Sequence, residues 1–343
     1  MNIVIDQLNK EMAKKARQRV NQLIKPQGSL GYLEDIYVQL AGITGKLYPK
    51  INKKSIIVMA ADHGIVEEGV TTSTKEITLF QAENMTKKIT GVCALAHQAK
   101  AEVVVVDIGI DNDVSSKEII NRKIKRGTNN FYKENAMTRA EAIEAVEVGI
   151  EIAEKEIKKG VNLIGTGEMG IGNTSPSSAI ISVICRKKPI DVTGMGANLP
   201  EEKVIHKAKI IKEAIEKRKP NPEDAIDVLS KVGGLEIAGM AGVMLGCAMN
   251  HVPVVIDGFI STAAALIAYK INPLVLEYII PSHASEEKGA KIASDYLGLK
   301  PPLNLGLRLG EGTGAALMFN IIEAATYMNL DMITFDKAGF RVK

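Results

Sequence analysis

The segment Arg308-Leu309-Gly310-Glu311-Gly312-Thr313-Gly314-Ala315-Ala316 places one carboxylate among three glycines, between a short apolar run and an apolar helical pattern. Gly310, Gly312 and Gly314 leave the turn almost bare. Backbone N–H groups can then approach a ligand, and the following helix offers its positive N-terminus. A carboxylate there is a poor partner for an anion and a good acceptor for a substrate proton. A second carboxylate, Glu168, lies in the equally bare stretch Gly165-Thr166-Gly167-Glu168-Met169-Gly170-Ile171-Gly172-Asn173-Thr174. Its Gly165-x-Gly167-x-x-Gly170 spacing formally matches a dinucleotide-binding fingerprint. Glu168 would set a negative charge against a pyrophosphate, however, and no acidic residue opens a strand at the required distance further on. A nicotinamide-dinucleotide oxidoreductase therefore stands only as the alternative. The preferred reading is a glycine-rich loop ending at a helix capped by Asn173, Thr174 or Ser175. Pro176 fits that helix's first turn, and such a helix start can hold one phosphate.

Other polar motifs are less specific. Metal-bound pyrophosphate sites of the ordinary phosphoribosyltransferases use two adjacent acids and a glycine turn. Here Asp257 is followed by Gly258 and that turn is missing, so no such metal site is expected. The five histidines show no HxxxH or similar spacing, which argues against zinc. Asp62, His63 and His283 fall at strand ends and suit the orientation of loops or substrate. Ser285 before Glu286 and Glu287 reads as a helix cap. Met240, Met244 and Met249 read as core.

These residues need a frame to bring them together. Six β-branched runs read as buried parallel strands: 55–60, 102–108, 161–165, 252–256, 276–280 and 303–307. Helical patterns at 79–98, 140–158, 201–217, 260–269 and 315–327 separate most of them. The alternation means an α/β fold, a parallel sheet covered on both faces. Nearly every strand ends in polar or glycine-rich chemistry, and in a doubly wound sheet those ends share the edge where ligands bind. Residues before Pro49 read as amphipathic helices that pack with the C-terminal helix as a small second unit.

Composition narrows the function. The 343 residues are 46% hydrophobic and 24% charged, a globular balance. With 43 basic against 40 acidic residues and no Trp, nucleic-acid binding is not expected. Cys93, Cys185 and Cys247 are far apart and read as reduced core thiols of a cytoplasmic protein. The N-terminal residues lack a signal-peptide pattern, and no apolar run is long enough for a membrane span.

Five stretches, in order, resemble the nicotinate-nucleotide:5,6-dimethylbenzimidazole phosphoribosyltransferase family of cobamide synthesis. They are Lys25-Pro26-Gln27-Gly28-Ser29-Leu30-Gly31-Tyr32-Leu33-Glu34, Ala61-Asp62-His63-Gly64-Ile65-Val66-Glu67-Glu68-Gly69-Val70, the loop from Gly167 to Thr174, Asp257-Gly258-Phe259-Ile260-Ser261 with Ser282-His283, and the Glu311 turn. The resemblance implies a Rossmann-like parallel sheet flanked by helices over residues 50–310. A small helical domain would combine 1–49 with 311–343. It implies a homodimer, while some relatives pair with a paralogue as a heterodimer. The reaction implied moves phosphoribosyl from nicotinate mononucleotide to a ring nitrogen of an aromatic base, with neither cofactor nor metal. The acceptor is a benzimidazole, a purine or a phenol. A non-catalytic partner subunit of the same fold is the further alternative.

Site residues follow from the same resemblance. Glu311 matches the general base. Ser73, Thr74 and Gln81 match the acceptor-base pocket. Glu168, the second catalytic residue implied, matches with Met169 and Gly170 the loop facing base and ribose. Lys207 stands as a cation near the phosphate or carboxylate of the nucleotide. Ser285 and the backbone from Gly310 to Gly312 complete the phosphate and ribose contacts. Asn173, Thr174, Asp257 and Leu309 join them as substrate-binding residues.

Overall fold

Short β-branched runs alternate with longer helical patterns through the computed structural model, which describes residues 3–196 and 199–339. Two helices open the chain, α1 (Lys10–Gln22) and α2 (Tyr32–Thr44), followed by strand β1 (Lys54–Ala61), α3 (Glu76–Thr86) and α4 (Gly91–Gln98). Then come β2 (Ala101–Gly109), β3 (Ile120–Asn121), α5 (Arg139–Lys158), β4 (Leu163–Met169) and α6 (Thr174–Ile184). Four helices follow: α7 (Pro189–Val192), α8 (Glu201–Arg218), α9 (Ala225–Val232) and α10 (Leu235–Met249). The last elements are β5 (Val254–Ile256), α11 (Phe259–Ile271), β6 (Ile279–Pro281), α12 (Ala290–Leu297) and α13 (Thr313–Asp331).

The six strands form one parallel sheet in the order β3-β2-β1-β4-β5-β6. The winding direction reverses between β1 and β4, and a crevice opens at the carboxyl ends of the strands there. Strand β1 is buried along its whole length, which explains its near-continuous apolar sequence. One apolar cluster lies between the sheet and α5, α6, α10 and α11. The other lies on the opposite face, where α1, α2, α4 and α13 cover the sheet. Helix α13 packs on α2 and α4 and also on β4 and β5. The N-terminal helices and the C-terminal helix therefore share one core with the central strands.

The structure corrects several expected elements. Residues 303–307 form no strand of the sheet. Pro301 and Pro302 precede them without backbone N–H groups, and Leu305 is 58% exposed. The segment instead runs alongside residues 282–286, with the Leu303 N–H donating to the Ser282 carbonyl and the Ala284 N–H to the Leu303 carbonyl. The sixth strand is the short β3, whose polar surroundings hide it from any periodicity. The expected helix at 79–98 is two helices, broken where Lys88 takes a positive φ of 61°. That break lets the N-terminus of α4 point at Glu311. The helix start at 173–175 has no side-chain cap: Asn173 donates to Glu168 and Thr174 accepts from Lys207.

Helices α5 and α10 approach unusually closely because both carry glycine at the crossing. A Cβ on Gly149 would run into the Gly239 carbonyl, and one on Gly242 into the Val146 carbonyl. Backbone cannot yield there as a side chain would. Gly242→Ala is expected to cost about 1–3 kcal/mol, the usual range for overpacking, read as a lowered midpoint in urea.

Candidate active site

Three strand ends and one turn converge on a cavity of about 470 Å³, within the roughly 300–1,000 Å³ range typical of ligand sites. Glu168 comes from the end of β4, Asp257 from the residue after β5, and His283 from the segment after β6. The Gly310–Gly314 turn enters from above α13. Helix α8 contributes Lys207, and the segment leading into α3 contributes Val70, Thr71 and Ser73.

Glu311 sits in the left-handed region, with φ of 65°. For a residue with a side chain such a conformation costs on the order of 1–3 kcal/mol. Asp257 offsets that cost. Its Oδ2 accepts the Gly312 N–H at 2.9 Å and its Oδ1 the Gly314 N–H at 2.7 Å. These are among the orphan donors that open α13, so Asp257 caps that helix from a different strand. The Glu311 carboxylate is held at both oxygens. Oε1 accepts from Gln81 Nε2 at 2.7 Å, and Oε2 accepts the Val92 N–H at 3.2 Å, in the first turn of α4. Glu311 is only 4% exposed.

The two glycine-rich stretches interlock. A Cβ on Gly310 would strike Glu168 Oε1, and a Cβ on Gly167 would strike the Glu311 carbonyl. Gly165 faces Ala315 and Phe319 of α13. These glycines let the loops approach each other rather than a pyrophosphate, which removes the support for a dinucleotide fingerprint. Glu168 accepts from Asn173 and, at 3.4 Å, from the Glu311 N–H. Burial, then the charges of Glu236 and Asp257, push its carboxyl up to about 8. Burial also pushes Asp257 up to about 7, against the pull of its N–H donors.

Lys207 is 1% exposed, and its Nζ donates to Thr174 Oγ1 at 2.6 Å. Burial pushes this ammonium down to about 8, with the Glu287 charge pulling the other way. A buried cation with a hydroxyl at the start of α6 is an arrangement that can accept an anion.

Of the expected site residues, Ser73, Gln81, Glu168, Met169, Gly170, Asn173, Thr174, Lys207, Asp257, Ser285, Leu309, Gly310 and Glu311 line the cavity. Thr74 does not: its carbonyl accepts the Ile77 N–H at the start of α3. Gly312 does not either, since its N–H is committed to Asp257 and a Cβ there would meet Ile56 at 2.6 Å. Sequence reasoning missed Arg308 and Glu287 as well as the apolar wall of Val70 and Ile77. Arg308 could have been found from its place beside the Glu311 motif; Ile77 gives no signal beyond helical spacing. Among the described residues, no cluster of three or more His, Cys, Asp or Glu is arranged to hold a metal ion. No helix among them is long and apolar enough to cross a membrane.

This geometry has close counterparts. A family model described as phosphoribosyltransferase matches residues 5–340. The nicotinate-nucleotide–dimethylbenzimidazole phosphoribosyltransferase of Alkaliphilus metalliredigens is 54% identical over 340 residues, covering 99% of this chain and 97% of its own. The chain belongs to the nicotinate-nucleotide–dimethylbenzimidazole phosphoribosyltransferase family. The Clostridium acetobutylicum member is 52% identical over 97% of this chain and 95% of its own. Among solved structures, CobT from Thermus thermophilus superposes with a TM-score of 0.93 at 35% identity, covering 97% of this chain and 100% of that one. Membership in this phosphoribosyltransferase family makes the chain an enzyme of the α/β class, and the interlocked Glu168 and Glu311 loops lie at the sheet edge where such a fold binds ligands.

Two measurements check this geometry. Asp257→Ala is expected to lower activity by at least about tenfold while also destabilising the fold by about 1–2 kcal/mol, the typical value of a helix cap; a variant matching the parent in both would remove the clamp. Glu168 binds its proton more tightly folded than unfolded, so it erodes stability as pH rises from its unfolded value of 4.5 to about 8. Glu168→Gln is therefore expected to gain in Tm relative to the parent across that window, with the gain complete above it.

Proposed function

We propose that this enzyme transfers the phosphoribosyl group of nicotinate mononucleotide to a ring nitrogen of 5,6-dimethylbenzimidazole or a related base, in cobamide nucleotide-loop synthesis. The bond from the anomeric carbon to the pyridinium nitrogen breaks and nicotinate leaves with the electron pair. A bond to the acceptor nitrogen forms on the opposite face, giving an α-linked ribazole phosphate. The acceptor N–H proton goes to Glu311. One observation carries this reading: the Glu311 carboxylate faces the cavity and is aimed by two neutral donors, Gln81 and the Val92 N–H. Its charge is not spent in an ion pair, so it is free to take a proton.

The rest of the cavity fits the same substrates. Lys207, Thr174 and the start of α6 suit the 5′-phosphate. Val70, Ile77, Met169 and Leu309 offer apolar surface for a flat ring, with Ser73 and Gln81 as polar edges. Glu168 faces the sugar. The glycosidic pyridinium, and the positive charge that develops on the ribose, supply the counter-charge that the buried carboxyls lack. A pyridinium departs as a neutral ring, so the chemistry calls for no metal and no cofactor. The working unit proposed is a cytoplasmic homodimer, with pairing to a paralogue as the other arrangement. Residues 1–49 and 311–343, of which 1–2 and 340–343 lie outside the described residues, would act in it as a small helical domain seated on the sheet through the core they share with it. Phe80, 64% exposed beside Gln81, and Ile89, 69% exposed after α3, supply apolar surface for such an association.

The purified enzyme, mixed with nicotinate mononucleotide, a chelator and a panel of dimethylbenzimidazole, benzimidazole, adenine and p-cresol, is expected to release nicotinate and one acceptor–ribose phosphate, identified by mass. Glu311→Gln is expected to lose about 10²–10⁴ in kcat. No product with any acceptor, or a Glu311→Gln enzyme at near-parental rate, would overturn the reading.

A further inference from the structure

His283 follows β6 and lines the cavity, yet nothing in the transfer chemistry uses it. The residue is 5% exposed. Its Nδ1 edge is closed off. Nδ1 lies 3.0 Å from Ser282 Oγ and 3.7 Å from Asp257 Oδ1, and a Cβ on Gly314 would strike it. Ser282 has a single hydroxyl hydrogen, which it donates to the Asp257 carbonyl at 3.0 Å. Towards the imidazole Ser282 Oγ can therefore only accept, so Nδ1 carries the ring proton. The Asp257 carboxyl oxygen on the same side favours the same tautomer. Burial holds the ring below its ordinary pKa of 6.5, so it stays neutral near pH 7. Nε2 is left as a bare lone pair.

That lone pair is directed at the cavity wall around Gly258 and Ser285. A Cβ on Gly258 would lie 3.2 Å from Nε2 and 3.5 Å from Ser285 Cβ, and both residues line the cavity. Among the described residues no group donates to Nε2, and the atom is open to the cavity. An acceptor held this deep calls for a donor, and the cavity is where one can come from. The substrates of the proposed reaction offer few. The nicotinate carboxylate can only accept. The 5′-phosphate is ionised and chiefly accepts. The N–H of the incoming base goes to Glu311. The two ribose hydroxyls remain.

We propose that His283 is a substrate-binding residue: its Nε2 accepts a hydrogen bond from one ribose hydroxyl of the nucleotide and so selects ribose over a deoxy sugar. The choice of donor rests on the phosphoribosyl-transfer reading; the tautomer does not.

The test compares kcat/KM of the full-length enzyme for nicotinate mononucleotide and for its 2′-deoxy and 3′-deoxy analogues, with dimethylbenzimidazole as acceptor. The parent is expected to prefer the ribonucleotide over one analogue by about ten- to hundredfold, the consequence of leaving a buried acceptor unpaired. His283→Asn keeps a polar group at the depth of Nδ1, beside Ser282, and has nothing at the depth of Nε2. Its preference is expected to fall to within about threefold. His283→Gln, whose amide oxygen reaches as far as Nε2, is expected to restore part of it. A merely structural role slows all three substrates alike and leaves the preference intact; that outcome, or a parent indifferent to both hydroxyls, refutes the proposal. Should His283→Asn fail to fold, ¹⁵N NMR of the histidine-labelled parent decides. The His283 Nε2 signal, identified by its loss in His283→Gln, is expected to report an unprotonated nitrogen. It should move with the ribonucleotide and stay in place with the analogue that lacks the contacting hydroxyl. A protonated Nε2 in the free enzyme, or the same movement with all three nucleotides, also refutes it. A parent that transfers nothing from nicotinate mononucleotide would instead overturn the functional reading and leave the Nδ1–H tautomer standing.

Discussion

The hydrogen bonds from Gly312 and Gly314 to the Asp257 carboxylate are the constraint on which the site depends. They satisfy donors at the start of α13 that would otherwise be buried without partners, and they hold Glu311 in a backbone conformation it would not choose alone. With the turn pinned, the Glu311 N–H faces Glu168, and its carboxylate reaches Gln81 and the N-terminus of α4. These partners come from three parts of the chain: Gln81 and Val92 from the helices between β1 and β2, Glu168 from the end of β4, and Asp257 from the residue after β5. The sheet matters to function because it delivers those parts to one edge in fixed register.

The charges in the cavity follow a division of labour. Glu311 meets only neutral donors in its hydrogen bonds and keeps its capacity to accept a proton. Asp257 is consumed by backbone N–H groups and acts as structure. Glu168 is buried next to other carboxylates and gains from any cation that enters. Lys207, with one hydroxyl partner, gains from any anion. A zwitterionic nucleotide, with a ring cation and a phosphate, answers both demands at once. Such a site favours its substrate over either half of it.

Much of this was legible in the residues, and the limits have physical causes. The fold class followed from β-branched runs between helical patterns, because parallel strands buried on both faces are apolar throughout. The segment 303–307 misled because its alternating leucines look like a strand, whereas two prolines and solvent exposure keep it off the sheet. Strand β3 was invisible because two residues carry no period. Glu311 and Glu168 were legible as chemistry among glycines, whereas Lys207 looks like any helix lysine and came only with the family resemblance. The roles of Gly167 and Gly310 were not legible, since a glycine looks the same whether it admits a ligand or another loop. Asp257 read as a ligand-binding acid for the same reason: nothing in its own neighbourhood announces that its partners lie 55 and 57 residues further along the chain. The Ile77 wall needed the break at Lys88, which orients α3 and α4 separately and which a continuous helical pattern conceals.

The interlock between Gly167, Gly310 and the two catalytic-loop carboxylates has an evolutionary consequence. Neither loop can accept a side chain without displacing the other, so neither can drift alone. The segment from Val70 to Gln81 walls the same cavity and is tied to the two loops by side chains, Thr78 accepting the Ile171 N–H and Gln81 donating to Glu311. Heritable change in the site is thereby channelled. The two glycine-rich loops can change only as a pair, while a half-exposed side chain of the facing wall such as Ile77 can change singly.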